Sequence, residues 1–202
     1  MVAARYIVLA TGNAGKVKEF EALLGPGGFS LLTPGDIGFT DEIDETGTTF
    51  RANALIKARA LAAYTNFPVL ADDSGLEVDA LGGIPGVRSA RYSGPGEAAP
   101  GIPQDAANRA KLLKAMAGKA DRKARFRCTL CYLVPGRDPV FFDGVCEGEI
   151  AEGERGGGGF GYDPLFVPRG MGKTFGELPA EVKDPMSHRG QAASMFLLSF
   201  NG

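Results

Sequence analysis

The stretch Val69-Leu70-Ala71-Asp72-Asp73-Ser74-Gly75-Leu76-Glu77-Val78-Asp79 sets two adjacent carboxylates at the end of a short apolar run. The run, Pro68 to Ala71, reads as a buried strand. It feeds a hydroxyl and a glycine turn, after which apolar and polar residues alternate. Neighbouring carboxylates repel each other, and apolar surroundings disfavour their charged forms. Asp-Asp-Ser-Gly is ordinary turn chemistry with Asp at a cap position. It is equally the chemistry of a site that holds a divalent cation, or needs a base beside one.

The first strand is Arg5 to Thr11, apolar enough for a central position with both faces covered. It ends in Thr11-Gly12-Asn13-Ala14-Gly15-Lys16, and a helix is expected from about Lys16 to Leu24. Val17, Phe20, Leu23 and Leu24 form its apolar stripe, and the Gly-Pro-Gly-Gly that follows stops it. Backbone N–H groups and a lysine at a helix start make an anion site. The loop is not a P-loop, which needs glycine where Ala10 stands and Ser or Thr where Val17 stands.

A second short strand is expected over Phe29 to Leu32. The acidic segment Asp41-Glu42-Ile43-Asp44-Glu45 precedes a long helix, about Thr48 to Tyr64, with Phe50, Leu55, Ala58, Leu61 and Ala62 on one side. Carboxylates before a helix complement its dipole. Four within five residues exceed that need, so the cluster is a candidate for a cation. Gly94 to Pro103 reads as a surface loop and Gln104 to Met116 as a helix with Ala107, Leu112, Leu113 and Met116 inward. Lys123 to Val134, Val140 to Phe142 and Val145 to Ile150 read as strands, the first two joined by a Pro135-Gly136 turn.

Gly156, Gly158 and Gly161 satisfy G-x-G-x-x-G, but Pro164 and Pro168 follow where a dinucleotide fold needs a helix. A loop whose backbone approaches a ligand closely fits better, with Phe160 and Tyr162 as flat surfaces for a base. A helical turn is expected over Leu178 to Lys183. Ser187-His188-Arg189-Gly190 opens a last helix, Gln191 to Phe200, with Ala192, Met195, Phe196 and Phe200 inward. His188 alone suits a cap or a surface position; with Arg189 it makes a compact set of donors at a helix start.

The 202 residues carry a net charge of −2, which disfavours a polyanion-binding surface. The apolar stretch near Met1 is too short for a signal peptide or a membrane span, so a cytoplasmic protein is expected. Three cysteines do not suggest a disulfide framework. Cys128 and Cys131, three apart in a strand, face opposite sides and cannot chelate together.

Four blocks stand in order: T-G-N-A-G-K from Thr11, A-D-D-S-G-L from Ala71, G-G-F-G-Y-D-P from Gly158 and S-H-R-G from Ser187. The stretches Glu45 to Ala54 and Gly86 to Gly94 agree with them. As a set they resemble the inosine/xanthosine triphosphate pyrophosphatase family over essentially the whole chain. The resemblance implies a single α/β domain over residues 1–202, elongated and two-lobed. Its central mixed sheet is flanked by helices, with a nucleotide cleft between the lobes. It implies a homodimer; the charge and the short apolar stretch lead to the expectation of no nucleic-acid or membrane partner. The implied reaction is Mg²⁺-dependent hydrolysis of purine nucleoside triphosphates (ITP, dITP, XTP) to monophosphate and pyrophosphate, which cleanses the nucleotide pool.

The resemblance also assigns roles. Asp73 matches the general base and a metal ligand, and Ser74 matches a substrate contact. Thr11, Gly12, Asn13, Ala14, Gly15 and Lys16 match the triphosphate loop. Phe160, Gly161, Tyr162 and Asp163 match the base-binding segment. Lys183, His188 and Arg189 match the remaining nucleotide contacts. A second metal carboxylate falls on Asp44 or Glu45. Asp72 is expected to orient its neighbour.

Overall fold

A computed structural model describes residues 5–94 and 101–200. Its elements run β1 (Arg5–Leu9), α1 (Ala14–Leu24), β2 (Phe29–Leu32), α2 (Phe50–Ala62), β3 (Val69–Val78), α3 (Gln104–Ala115) and β4 (Lys123–Leu133). β5 (Val140–Ile150), β6 (Phe166–Pro168), α4 (Ala180–Met186) and α5 (His188–Leu198) complete the chain. The sheet order is β2-β1-β3-β4-β5-β6. β1 pairs in parallel with β2 and β3, and β5 is antiparallel to β6, so the sheet is mixed and the class is α/β. No described helix is long and apolar enough to cross a membrane.

The chain divides into two compact units. The first comprises Met1–Asp73, Cys128–Gly144 and His188–Gly202; the second comprises Ser74–Arg127 and Val145–Ser187. The loop expected over Gly94 to Pro103 falls largely on residues 95–100, outside the described residues.

Period-2 alternation explains the first unit. Ile7, Leu9, Leu70, Cys128 and Leu130 pack on Phe20 and Leu24 of α1 and on Ala192 and Phe196 of α5. The intervening residues Val8, Ala10, Val69, Ala71 and Cys131 pack on Ala54, Ala58 and Leu61 of α2. β1 is therefore covered on both faces, and each such side chain contributes about 1.5–3 kcal/mol by leaving water. Cys128 and Cys131 lie on opposite faces, in different clusters. In the turn after β4, Arg137 N–H donates to Val134 O at 2.9 Å, with Gly136 at φ 79°. That conformation is the one the Pro-Gly pair favours.

The second unit buries Leu76, Val78, Leu112, Met116, Tyr162 and a phenylalanine set. Phe126 lies 4.7 Å from Phe166, and Phe166 5.1 Å from Phe175, between ring centroids.

Several sequence expectations are corrected. β3 does not stop at Ala71; it runs through Asp72-Asp73-Ser74-Gly75 to Val78, so no turn forms there. β5 is one strand, not two. α1 begins at Ala14, where Asn13 caps it, and α5 begins at His188. Met195 faces outward, 51% exposed.

Candidate active site

The strand that carries Asp72 and Asp73 dictates where their side chains go. Successive residues face opposite sides. Asp72 shares the face of Leu70, toward α1 and α5; Asp73 shares the face of Ala71, toward α2. Both are buried, at 0% and 5% exposed.

Each carboxylate meets cations on its own side. Asp72 Oδ1 contacts Lys16 Nζ at the start of α1, and Asp72 Oδ2 lies 3.6 Å from Arg189 Nε. Arg189 Nη1 donates to Glu19 Oε2 at 2.9 Å, one turn along α1 from Lys16. Half-buried Lys16 and buried Asp72, Arg189 and Glu19 thus form a chain of alternating charge. Burial alone would push the Asp72 carboxyl up. Lys16, Arg189 and Lys57 outweigh it and hold Asp72 well below the usual carboxylate range.

On the other face, Lys57 Nζ donates to Asp73 Oδ1 at 3.3 Å and lies 3.4 Å from Glu45 Oε2. Asp73 Oδ2 is buried and has no hydrogen-bond partner among the described residues. Burial, helped by Asp72 and Glu45, pushes the Asp73 carboxyl up to about 6 against the pull of Lys57 and Lys16. Burial pulls Lys57 down, but Asp73, Asp72 and Glu45 hold its ammonium above the ordinary value. Lys57 is a functional candidate the motifs did not supply. A signal existed: it occupies a position of the α2 apolar stripe, seven after Phe50 and four before Leu61. A lysine there has to find a buried anion.

Glu45 and Asp73 offer hard oxygen donors, and one buried oxygen of Asp73 is unpartnered. That donor set fits Mg²⁺, which takes one or two carboxylates and completes its shell with water and phosphate oxygens. Among the described residues no trio of His, Cys, Asp and Glu forms a complete cage. Of the two acidic candidates, Glu45 reaches the Lys57–Asp73 pair, whereas Asp44 is exposed.

The loop before α1 is shaped for an anion. Asn13 Oδ1 accepts from Lys16 N–H at 3.1 Å, and Thr11 Oγ1 accepts from Asn13 N–H at 3.1 Å. The N–H groups of Ala14 and Gly15 have no acceptor among the described residues, as the first turn of a helix leaves them. Glycine at position 144 of β5 lets α5 approach: a Cβ there would collide with the His188 carbonyl oxygen and come 2.8 Å from Ala192 N. His188 is buried, so the surface reading of it falls.

The second unit holds the other predicted residues. Lys183 is 4% exposed; its Nζ donates to Asp163 Oδ2 at 2.6 Å and lies 5.5 Å from the Phe160 ring centroid. Asp163 Oδ2 also accepts from Phe160 N–H at 2.9 Å. Phe160 and Ser74 are half-buried. Tyr162 does not offer a flat surface. Its ring belongs to the core, and its hydroxyl donates to Ser89 O at 2.9 Å. Gly161 lies beside it in the same loop.

The sequence profile of the Ham1 family matches residues 7–198. The chain belongs to the Ham1 family. A dITP/XTP pyrophosphatase of Bacillus licheniformis is 48% identical over 188 residues, covering 92% of this chain and 93% of its own. One of Bacillus subtilis is 46% identical over 194 residues, covering 95% of each. The solved HAM1 protein of Coxiella burnetii superposes with a TM-score of 0.85 at 40% identity, over 97% of this chain and 98% of its own. In this Ham1 chain the strand through Asp72-Asp73 and the capped loop at Thr11 to Lys16 are neighbours, joined by the Lys16–Asp72 pair.

Proposed function

We propose that this protein hydrolyses deaminated purine nucleoside triphosphates (ITP, dITP and XTP) to the monophosphate and pyrophosphate, clearing them from the nucleotide pool. The observation that carries the reading is Asp73: a buried carboxylate with an unpartnered oxygen, set beside Glu45 and Lys57. The names of relatives nearly half identical over the chain support the substrate class.

A water oxygen attacks the α-phosphorus, the bond to the bridging oxygen breaks, and pyrophosphate leaves. Asp73 takes the proton from the water. A carboxyl held up to about 6 is a stronger base than an ordinary aspartate, yet remains ionised at neutral pH. Lys57 keeps the Asp73 carboxylate oriented through Oδ1. Lys16 and the N–H groups of Ala14 and Gly15 hold phosphate oxygens and stabilise the charge that develops on the leaving group. Glu45 and Asp73 would hold Mg²⁺, which would supply Lewis-acid charge to the phosphate oxygens and lower the pKa of bound water.

Selectivity rests on the 6-oxo group. Hypoxanthine and xanthine present an acceptor where adenine presents an amino donor. Donors of His188 and Arg189 satisfy the first and would face a second donor in the other. An unsatisfied buried group costs about 1–3 kcal/mol. Ser74, Asp163 and Lys183 contribute further nucleotide contacts. We also place the protein in the cytoplasm as a homodimer.

The test is a panel of ITP, dITP, XTP, GTP and ATP with Mg²⁺ and identification of the products. Monophosphate and pyrophosphate from ITP and XTP, with ATP poorly used, are expected. Orthophosphate as product, or comparable kcat/KM for ATP and ITP, overturns the reading.

A further inference from the structure

The glycine-rich run Gly156 to Gly161 has almost no side chains with which to fix itself, and glycine loses the most backbone freedom on ordering. Gly158 N–H donates to Gly176 O at 2.9 Å, and the end of the run is held by α3. Gly161, at φ 60°, has both of its peptide groups taken by that helix. Its N–H donates to Asp105 Oδ2 at 2.9 Å, and its carbonyl accepts from Arg109 Nη1 at 2.9 Å. The same guanidinium ion-pairs through Nε with Glu154 Oε1 at 3.1 Å, just before the glycines. Asp105 and Arg109 are four apart on one face of α3. One arginine therefore staples the loop at both ends, and one aspartate fixes its peptide plane.

Several backbone donors of this loop are already committed. Phe160 and Gly161 N–H go to carboxylates, and Asp163 N–H goes to Phe160 O at 3.2 Å. The half-buried Phe160 ring stands one residue before the clamped glycine, with Lys183 Nζ 5.5 Å from its centroid.

We propose that Asp105 and Arg109 are positioning residues that fix the Phe160 ring as a stacking face for the purine, so that α3 tunes substrate affinity without touching substrate. This rests on the pyrophosphatase reading above. Base–aromatic stacking depends on offset and tilt, so a loop free to swing forfeits most of it.

Steady-state kinetics with ITP on Asp105→Ala, Asp105→Asn, Arg109→Ala and Phe160→Ala test it, with melting temperature as a check on folding. Asp105→Ala and Arg109→Ala should each raise KM about tenfold with kcat within about threefold. Asp105→Asn should recover most of the loss, because its amide oxygen still accepts from Gly161 N–H. The double variant Arg109→Ala/Phe160→Ala should be no worse than Phe160→Ala alone, since one residue acts through the other. Additive losses in the double variant, an unchanged KM in folded Asp105→Ala, or a loss confined to kcat overturns the proposal. If Arg109→Ala does not fold, Asp105→Ala/Phe160→Ala replaces the double variant. Failure of the wild-type protein to release pyrophosphate from ITP overturns the pyrophosphatase reading as well; failure of the variants alone overturns only the clamp.

Discussion

Asp72 and Asp73 are adjacent on β3 yet face opposite sides of the sheet, and their carboxyls are driven in opposite directions. Asp72 is held low because Lys16 and Arg189 outweigh its burial; Asp73 is held high because burial outweighs Lys57 and Lys16. The first is a permanent anion that organises cations. The second has the raised basicity that the proposed role of general base requires.

Asp73→Asn should lower kcat by roughly 10²- to 10⁴-fold at saturating Mg²⁺, the range of general-base assistance. Asp72→Asn should hurt turnover less and stability more, since it leaves Lys16 and Arg189 facing each other in the interior without their shared anion. Kinetics and chemical denaturation on both variants separate the two roles; a reversed order of kcat losses would contradict this division.

The pH dependence of stability should carry the same signature. A raised Asp73 stabilises the fold fully below the unfolded value near 3.8 and loses that contribution as pH rises through about 6. A depressed Asp72 contributes above its unfolded value and loses that contribution as pH falls toward its low folded value. Urea midpoints measured without Mg²⁺ between pH 4 and 7 should therefore fall less steeply with rising pH in Asp73→Asn than in the wild type. The acid limb of kcat/KM should lie near pH 6 at limiting Mg²⁺ and move to lower pH as Mg²⁺ saturates, because a cation favours the ionised carboxyl.

Lys57→Met removes the ammonium that Glu45 and Asp73 share. The two carboxyls then repel, the acid limb of the rate should move to higher pH, and the melting temperature should rise more on adding Mg²⁺ than it does for the wild type. Equal Mg²⁺ shifts in the two proteins would argue against a common cation position.

Gly144→Ala should destabilise by about 1–3 kcal/mol, the usual range for overpacking, because the added carbon meets backbone atoms of α5 that cannot rotate away. It should also raise KM for ITP by displacing His188 and Arg189. Tyr162→Phe should cost only about 0.5–1.5 kcal/mol for the lost Ser89 hydrogen bond and leave substrate preference unchanged.

What the sequence made legible follows from short-range rules. The apolar run Arg5 to Thr11 announced a strand covered on both faces, and the spacing of Cys128 and Cys131 announced their separation. Pro135-Gly136 announced its turn. The path of β3 was hidden because Asp-Asp-Ser-Gly carries local turn chemistry that cations and neighbouring strands override. Lys57 was hidden among apolar residues of α2, where its anion is distant in sequence. Asp105 and Arg109 look like an ordinary solvent-facing pair four apart on a helix; only tertiary contact reveals that they grip a loop some fifty residues away. Tyr162, beside a half-exposed phenylalanine in a glycine run, gave no sign that it belonged to the core.

Cys128 Sγ sits 3.4 Å from Asp72 Oδ2, donating to it, and burial together with Asp72 pushes the thiol well above its ordinary value. With almost no thiolate at neutral pH, this sulfur reacts only when the structure around it opens. It is therefore a built-in clock: its alkylation rate, resolved from Cys131 and Cys146 by fragment-ion mass, counts how often the interior behind β3 breathes, and whether nucleotide slows that breathing.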